Sequence, residues 1–157
     1  MTEDKNIKVI KASSNELDLV AELFDKYRVF YGQPSNVEEG KKFIQERMKN
    51  DQSVILLAVE IETNSLRPLG FVQLYPTFSS VAMKKRWILN DLYVDQSVRR
   101  KGVAKTLMQK AKEYALETGA NGLTLETAKD NYTAQRLYES IGYEKDDECF
   151  HYHISLQ

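Results

Sequence analysis

Residues 83–127 constrain the fold more than any other part of the chain. "MKKRWILNDLYV" (83–94) alternates like a strand, with Trp87, Leu89, Asp91 and Tyr93 on one side and Ile88, Asn90, Leu92 and Val94 on the other. A helical stripe follows over 103–118 through Val103, Leu107, Ala111, Tyr114 and Ala115, and Gly119 supplies its stop. "NGLTLET" (121–127) reads as a short strand. A strand–helix–strand unit of this length makes its two strands parallel neighbours with a right-handed crossover.

The flanking segments fill in a mixed sheet. "IKVIKAS" (7–13) is a first strand, and Leu17, Val20, Phe24 and Tyr27 mark a helix that Ser14 or Asn15 can cap. Pro34 closes that segment, and Val37, Phe43, Ile44 and Met48 mark a second helix that Gly40 weakens by about 1 kcal/mol relative to Ala. "SVILLAVEIE" (53–62) and "LGFVQLYPTFS" (69–79) form a hairpin. "NYTAQRLYESIG" is a short helix with Ala134, Leu137, Tyr138 and Ile141 on one face, and "YEKDDECFHYHISL" reads as two terminal strands about an acidic turn. The expected order is β-α-α-β-β-β-α-β-α-β-β, an α/β single domain over 1–157 with helices on both faces of a mixed sheet.

Composition excludes several functions. The 157 residues carry a net charge of −1, without the basic excess of a nucleic-acid footprint, so no nucleic-acid partner is expected. Cys149 is the only cysteine, which rules out an intramolecular disulfide and fits a reducing compartment. "MTEDKNIKVI" lacks the apolar core of a signal peptide, and no apolar run reaches the roughly 18–20 residues of a membrane span. A cytoplasmic protein with no membrane partner is expected. His151 and His153 lie two apart on the last strand, but no third ligand is evident and no metal is expected.

Against that balance, Arg99, Arg100, Lys101 and Lys105 crowd four cations around Gly102 just before a helix. Such a turn is either a solvated start to an ordinary helix or an anion cradle. The first N–H groups of a helix have no internal partners, the dipole is positive there, and glycine lets a ligand approach the backbone. The stretch is neither a P-loop nor a dinucleotide fingerprint.

Two motifs together decide between these readings. Arg99, Gly102 and Ala104 fit the pattern Gln/Arg-x-x-Gly-x-Gly/Ala at a strand–helix junction. Asn131, Ala134, Leu137, Tyr138, Gly142 and Tyr143 follow in the order of a second signature. Over 83–143 the chain resembles the GNAT superfamily of N-acetyltransferases. That resemblance implies acetyl-CoA as cosubstrate, its pyrophosphate on the backbone of Arg99, Arg100, Lys101, Gly102, Val103, Ala104, Lys105 and Thr106. It implies a pantetheine arm along Leu92 and Val94, with Asn131 also touching the arm. Val94 N–H is the expected oxyanion donor, and Tyr138 the acid that protonates the departing thiolate.

The acceptor amine must lose a proton, since with a pKa of about 10.4 only about 0.1% is neutral near pH 7.4. The family often carries a glutamate on the strand before the phosphate loop, where this chain has Asn90. Asp91 is adjacent but faces away from the site in a regular strand; a bulge would re-aim it. A fold-pairing role for Asp91, a water chain held by Asn90 and Tyr75, or a substrate that arrives partly neutral are the alternatives. Tyr27, Tyr31, Tyr75, Phe78 and Trp87 can wall an aromatic cleft suited to a cationic amine, with Tyr31, Tyr75 and Phe78 the expected acceptor contacts. The expected reaction is direct acetyl transfer to the primary amine of a small molecule. The alternatives are a peptide or protein amine as acceptor, or an acyl-CoA sensor that lacks a base. The resemblance further suggests a homodimer.

Overall fold

The computed structural model describes residues 6–98 and 102–157. Its residues group into two compact units, Met1–Glu126 and Thr127–Gln157.

In the first unit, β1 (Ile7–Lys11) leads into a 3-10 turn, Ser14–Glu16, and helix α1 (Leu17–Phe30). The cap is Ser13, one residue before the expected pair: its side chain accepts from Asn15 N–H, while Glu16 accepts from Ser13 N–H at 2.9 Å. Helix α2 (Val37–Lys49) is capped by Asn36. Its Gly40 has a packing reason, because a Cβ there would stand 3.2 Å from the Phe24 ring, where α2 crosses α1. Strands β2 (Val54–Ile61), β3 (Leu66–Ser79) and β4 (Lys84–Val94) follow, then helix α3 (Val103–Glu117) and the two-residue β5 (Leu123–Thr124).

The sheet order is β1-β2-β3-β4-β5, antiparallel except for the last pair. The parallel pair matches Trp87 with Leu123 and Ile88 with Thr124, as the strand–helix–strand pattern requires. Strand β2 is buried on both faces, which explains its unbroken apolar run. Ile55, Leu57 and Val59 join Phe71, Tyr93 and Leu17, Val20, Leu23, Phe24 and Ile44 of α1 and α2 in one core. On the opposite face Trp87 packs against Tyr114 of α3, with ring centroids 5.6 Å apart. Among the described residues no helix is long and apolar enough to cross a membrane.

The second unit contains α4 (Tyr132–Ile141), closed by Gly142 at φ 111°. Its apolar stripe is half-buried within the unit. The two expected terminal strands do not form: residues 143–157 have no ladder, and Phe150, Tyr152, Ile154 and Leu156 are 77–94% exposed. The acidic turn does form, with Glu148 N–H donating to Asp146 Oδ1 at 2.9 Å. Alternation alone does not specify a strand, because the ladder bonds come from a neighbouring edge.

Candidate active site and cofactor cradle

A β-bulge organises the first part of the site. The β3–β4 ladder matches Gln73 with Asp91 and Leu74 with Leu89, so Asn90 is an extra residue with no opposite number. Side-chain alternation inverts across it. Trp87 and Leu89 face α3, whereas Asp91 and Tyr93 face α1. The expectation that Asp91 shares a face with Trp87 and Leu89 is therefore corrected, and the inserted Asn90 is the reason.

Asp91 is 3% exposed and Gln73 fully buried. Gln73 Nε2 donates a short hydrogen bond to Asp91 Oδ2, and Asn90 Nδ2 donates to Oδ1 at 2.9 Å. The Tyr27 hydroxyl bonds to the same carboxylate; burial first, then the Asp91 charge, holds the phenol well above its usual range. Burial likewise pushes Tyr75 up to about 12, with Asp91 as the second cause. Among the described residues every group donating to this carboxylate is neutral and no ion pair reaches it. Gln73 Oε1 is buried with no hydrogen-bond partner. Tyr27 stands edge-on to Tyr31, Phe71 and Tyr93 at centroid distances of 5.0, 5.8 and 6.3 Å. A buried carboxyl group served, among the described residues, by neutral donors alone, beside aromatic rings, suits a cation that arrives from outside.

The second part lies where β4 hands over to α3. The β4–β5 ladder ends at Ile88 and Thr124, where β5 itself ends, whereas β4 runs on to Val94 toward α3. Asp95 fixes the junction. Its N–H donates to Leu69 C=O at 2.7 Å, and its carboxylate accepts from Lys26 Nζ at 2.8 Å and from Ser97 N–H at 3.0 Å. The Lys26 hydrogen bond, then the Ser97 N–H, lower the Asp95 pKa to about 2. Gly102 caps α3 at φ 73°, in the left-handed region. The first helical bond runs from Thr106 N–H to Gly102 C=O at 3.1 Å, so the N–H groups of Val103, Ala104 and Lys105 open the helix. Among the described residues nothing lies within 4 Å of a Cβ built on Gly102. Arg99, Arg100 and Lys101 lie outside the described residues.

In the second unit Asn131 caps α4, its Oδ1 accepting from Ala134 N–H at 3.2 Å. Tyr138 is half-buried, its ring 6.1 Å from that of Tyr143. The Tyr143 hydroxyl is buried without a hydrogen-bond partner, and burial raises it to about 12.

The structure thus brings Asn90, Asp91, Tyr75 and, through Tyr27, Tyr31 into one cluster. Phe78 and Trp87 are not part of it. They lie toward the other end of the sheet, Phe78 five positions from Gln73 or about 17 Å along β3. Sequence reasoning missed Gln73 and the Lys26–Asp95 pair. A lone glutamine inside the apolar run "GFVQLY" was the signal for the first.

The chain belongs to the acetyltransferase (GNAT) family, which it matches over residues 18–143. It is therefore an acetyltransferase, and membership implies acetyl-CoA as the acetyl source. It is 43% identical to an uncharacterized N-acetyltransferase of Bacillus subtilis, YhfO, over 93% of this chain and 95% of that one. A crystal structure of a probable acetyltransferase superposes with a TM-score of 0.88 at 44% identity, covering 96% of this chain and 98% of the other. An aminoglycoside acetyltransferase from a soil metagenome, in complex with sisomicin, has a TM-score of 0.82 at 18% identity, covering 99% of this chain and 100% of the other, and shares the fold.

Proposed function

We propose that the chain moves the acetyl group of acetyl-CoA directly to the primary amine of a small cationic molecule within a ternary complex. The observation that carries this reading is the Asp91 carboxylate, buried and, among the described residues, hydrogen-bonded only by neutral groups. Asp91 stands in for the glutamate absent at Asn90, attracting the ammonium and accepting its proton. Asn90 and Gln73 hold the carboxylate in place. Tyr31 and Tyr75 flank the amine.

Acetyl-CoA, when bound, supplies an acyl group activated as a thioester. The backbone N–H groups from Gly102 to Lys105 hold its pyrophosphate, aided by the charges of Arg99, Arg100 and Lys101; the N–H of Thr106, expected to join them, is taken by Gly102 C=O. Leu92 and Val94 line the arm through their backbone, and Asn131 adds its amide N–H. Tyr138 donates its hydroxyl proton to the sulfur that leaves. The family match runs across residue 126, which supports a single acetyltransferase domain over 1–157.

The test is CoA release from acetyl-CoA against a panel of primary amines, with Asp91→Asn and Tyr138→Phe alongside. Loss of the base is expected to lower kcat by about 100-fold or more, with acetyl-CoA affinity kept in both variants. Tight acetyl-CoA binding with no turnover on any amine would replace this reading with that of a sensor.

A further inference from the structure

A second cleft, of about 890 Å³, lies on the first unit. It is formed where β1 ends, β2 begins, the β3–β4 hairpin reaches past β2, and α2 finishes. Neither Asp91, Gln73, Tyr27 nor Gly102 lines it. Its size is that of a small-molecule site.

Its charge is the opposite of the chain's. Lys11, Lys49 and Lys85 line it against the single carboxylate of Asp51, whereas the whole chain carries −1. Among the described residues none of the three lysines is in an ion pair. Two of them rest on aromatic rings instead: Lys85 Nζ lies 4.2 Å from the Trp87 centroid and Lys11 Nζ 5.6 Å from that of Tyr114. Ser53 also lines the cleft, and its hydroxyl is buried with no hydrogen-bond partner. Phe78, at the rim, leaves 76% of its surface exposed. Cations without counter-ions, an orphaned hydroxyl and an open aromatic ring are together the complement of one kind of molecule.

We propose that this cleft is a second ligand site, for a small anion carrying a flat ring, of the aryl carboxylate or aryl phosphate class. The anion pairs with Lys49 and Lys85 and accepts from Ser53, and the ring lies against Phe78. The site is independent of acetyl transfer, so its failure and that of the proposed reaction are separable.

Trp87 is the chain's only tryptophan, so its emission reports on the cleft directly. The experiment titrates the full chain with 4-hydroxybenzoate, phenyl phosphate and benzoate, with 4-hydroxybenzamide as the uncharged comparison. Saturable binding of at least one anion is expected by Trp87 emission and calorimetry, about tenfold weaker in Lys49→Glu and in Lys85→Glu. The amide should bind at least as poorly as those variants bind the anion, and acetyl-CoA affinity should stay unchanged in both, which also reports that they fold. Absence of saturation with all three anions overturns the proposal. So does equal binding of the amide, or anion binding indifferent to both charge reversals.

Discussion

Gly70→Ala tests the close approach of β3 to β4 just before the cofactor cradle. Gly70 lies opposite Val94 in the ladder. A Cβ at Gly70 would stand 2.7 Å from the Tyr93 carbonyl oxygen and 3.2 Å from both Cα and Cγ2 of Val94. Non-bonded carbons settle at about 3.5–4.0 Å, so the strands must part by roughly 0.5 Å or more. Two of the three obstacles are backbone and cannot rotate aside. Overpacking of this kind costs about 1–3 kcal/mol. The smaller entropy of an unfolded alanine offsets roughly 0.5–1 kcal/mol of that. The expected loss is about 1–2 kcal/mol, a fall of roughly 0.5–1 M in the urea midpoint for a slope of about 2 kcal/mol/M. Gly122→Ala is the comparison, because nothing lies within 4 Å of its added Cβ, and its midpoint should hold or rise. Since Tyr93 and Val94 lead straight to Asp95 and α3, acetyl-CoA affinity should also fall in Gly70→Ala alone. A Gly70→Ala midpoint at or above that of the parent refutes the reasoning.

Three further outcomes are expected. Gly102→Ala and Gly119→Ala place an L side chain at φ 73° and 74°, each costing about 1–2 kcal/mol, but only Gly102→Ala should also weaken acetyl-CoA binding, measured by calorimetry. Asp95 has its pKa lowered from 3.8 to about 2 in the folded chain. The stability it contributes is therefore present above pH 4 and lost as the pH falls toward 2; Lys26→Met should cost about 1 kcal/mol near neutrality after solvent screening, and the gap to the parent should close over that window in thermal melts. Asn36→Ala removes the acceptor for Glu39 N–H and should cost about 1 kcal/mol in denaturant unfolding, with Asn36→Asp restoring most of it.

Elements whose information is local were legible in the sequence. The parallel pair, the hairpins and the helices followed from periodicity, and Gly102 and Gly119 fell where positive φ was needed. The turn "RRKGVA" could be weighed only beside "NYTAQRLYESIGY", because neither motif is distinctive alone. Three features escaped, each because it depends on a distant residue. Gln73 joins the site only through its cross-strand partner Asp91, and the Lys26–Asp95 pair spans 69 positions. The pattern of residues 150–156 is that of a strand, but pairing is a property of the neighbour and is not written in the segment. The aromatic wall was read as one cleft; the structure divides it, with Tyr27, Tyr31 and Tyr75 near Asp91 and Phe78 and Trp87 in the basic cleft.

The extra residue in β4 makes that strand two half-strands in opposite phase. Below Asn90 odd-numbered side chains belong to the α3 face; above it they belong to the α1 face. What Asn90 contributes to the sheet is its length of backbone, one step of chain. Its side chain is exposed, so exchange for another residue leaves the phase intact and removes only the hydrogen bond to Asp91. Deleting it is a different operation. With the count between Leu89 and Asp91 shortened by one, regular pairing forces a choice: Trp87 and Leu89 leave α3, or Asp91 and Tyr93 leave Tyr27. The packing of one face and the chemistry of the other are tied to each other by a number, and that number tolerates no change of one.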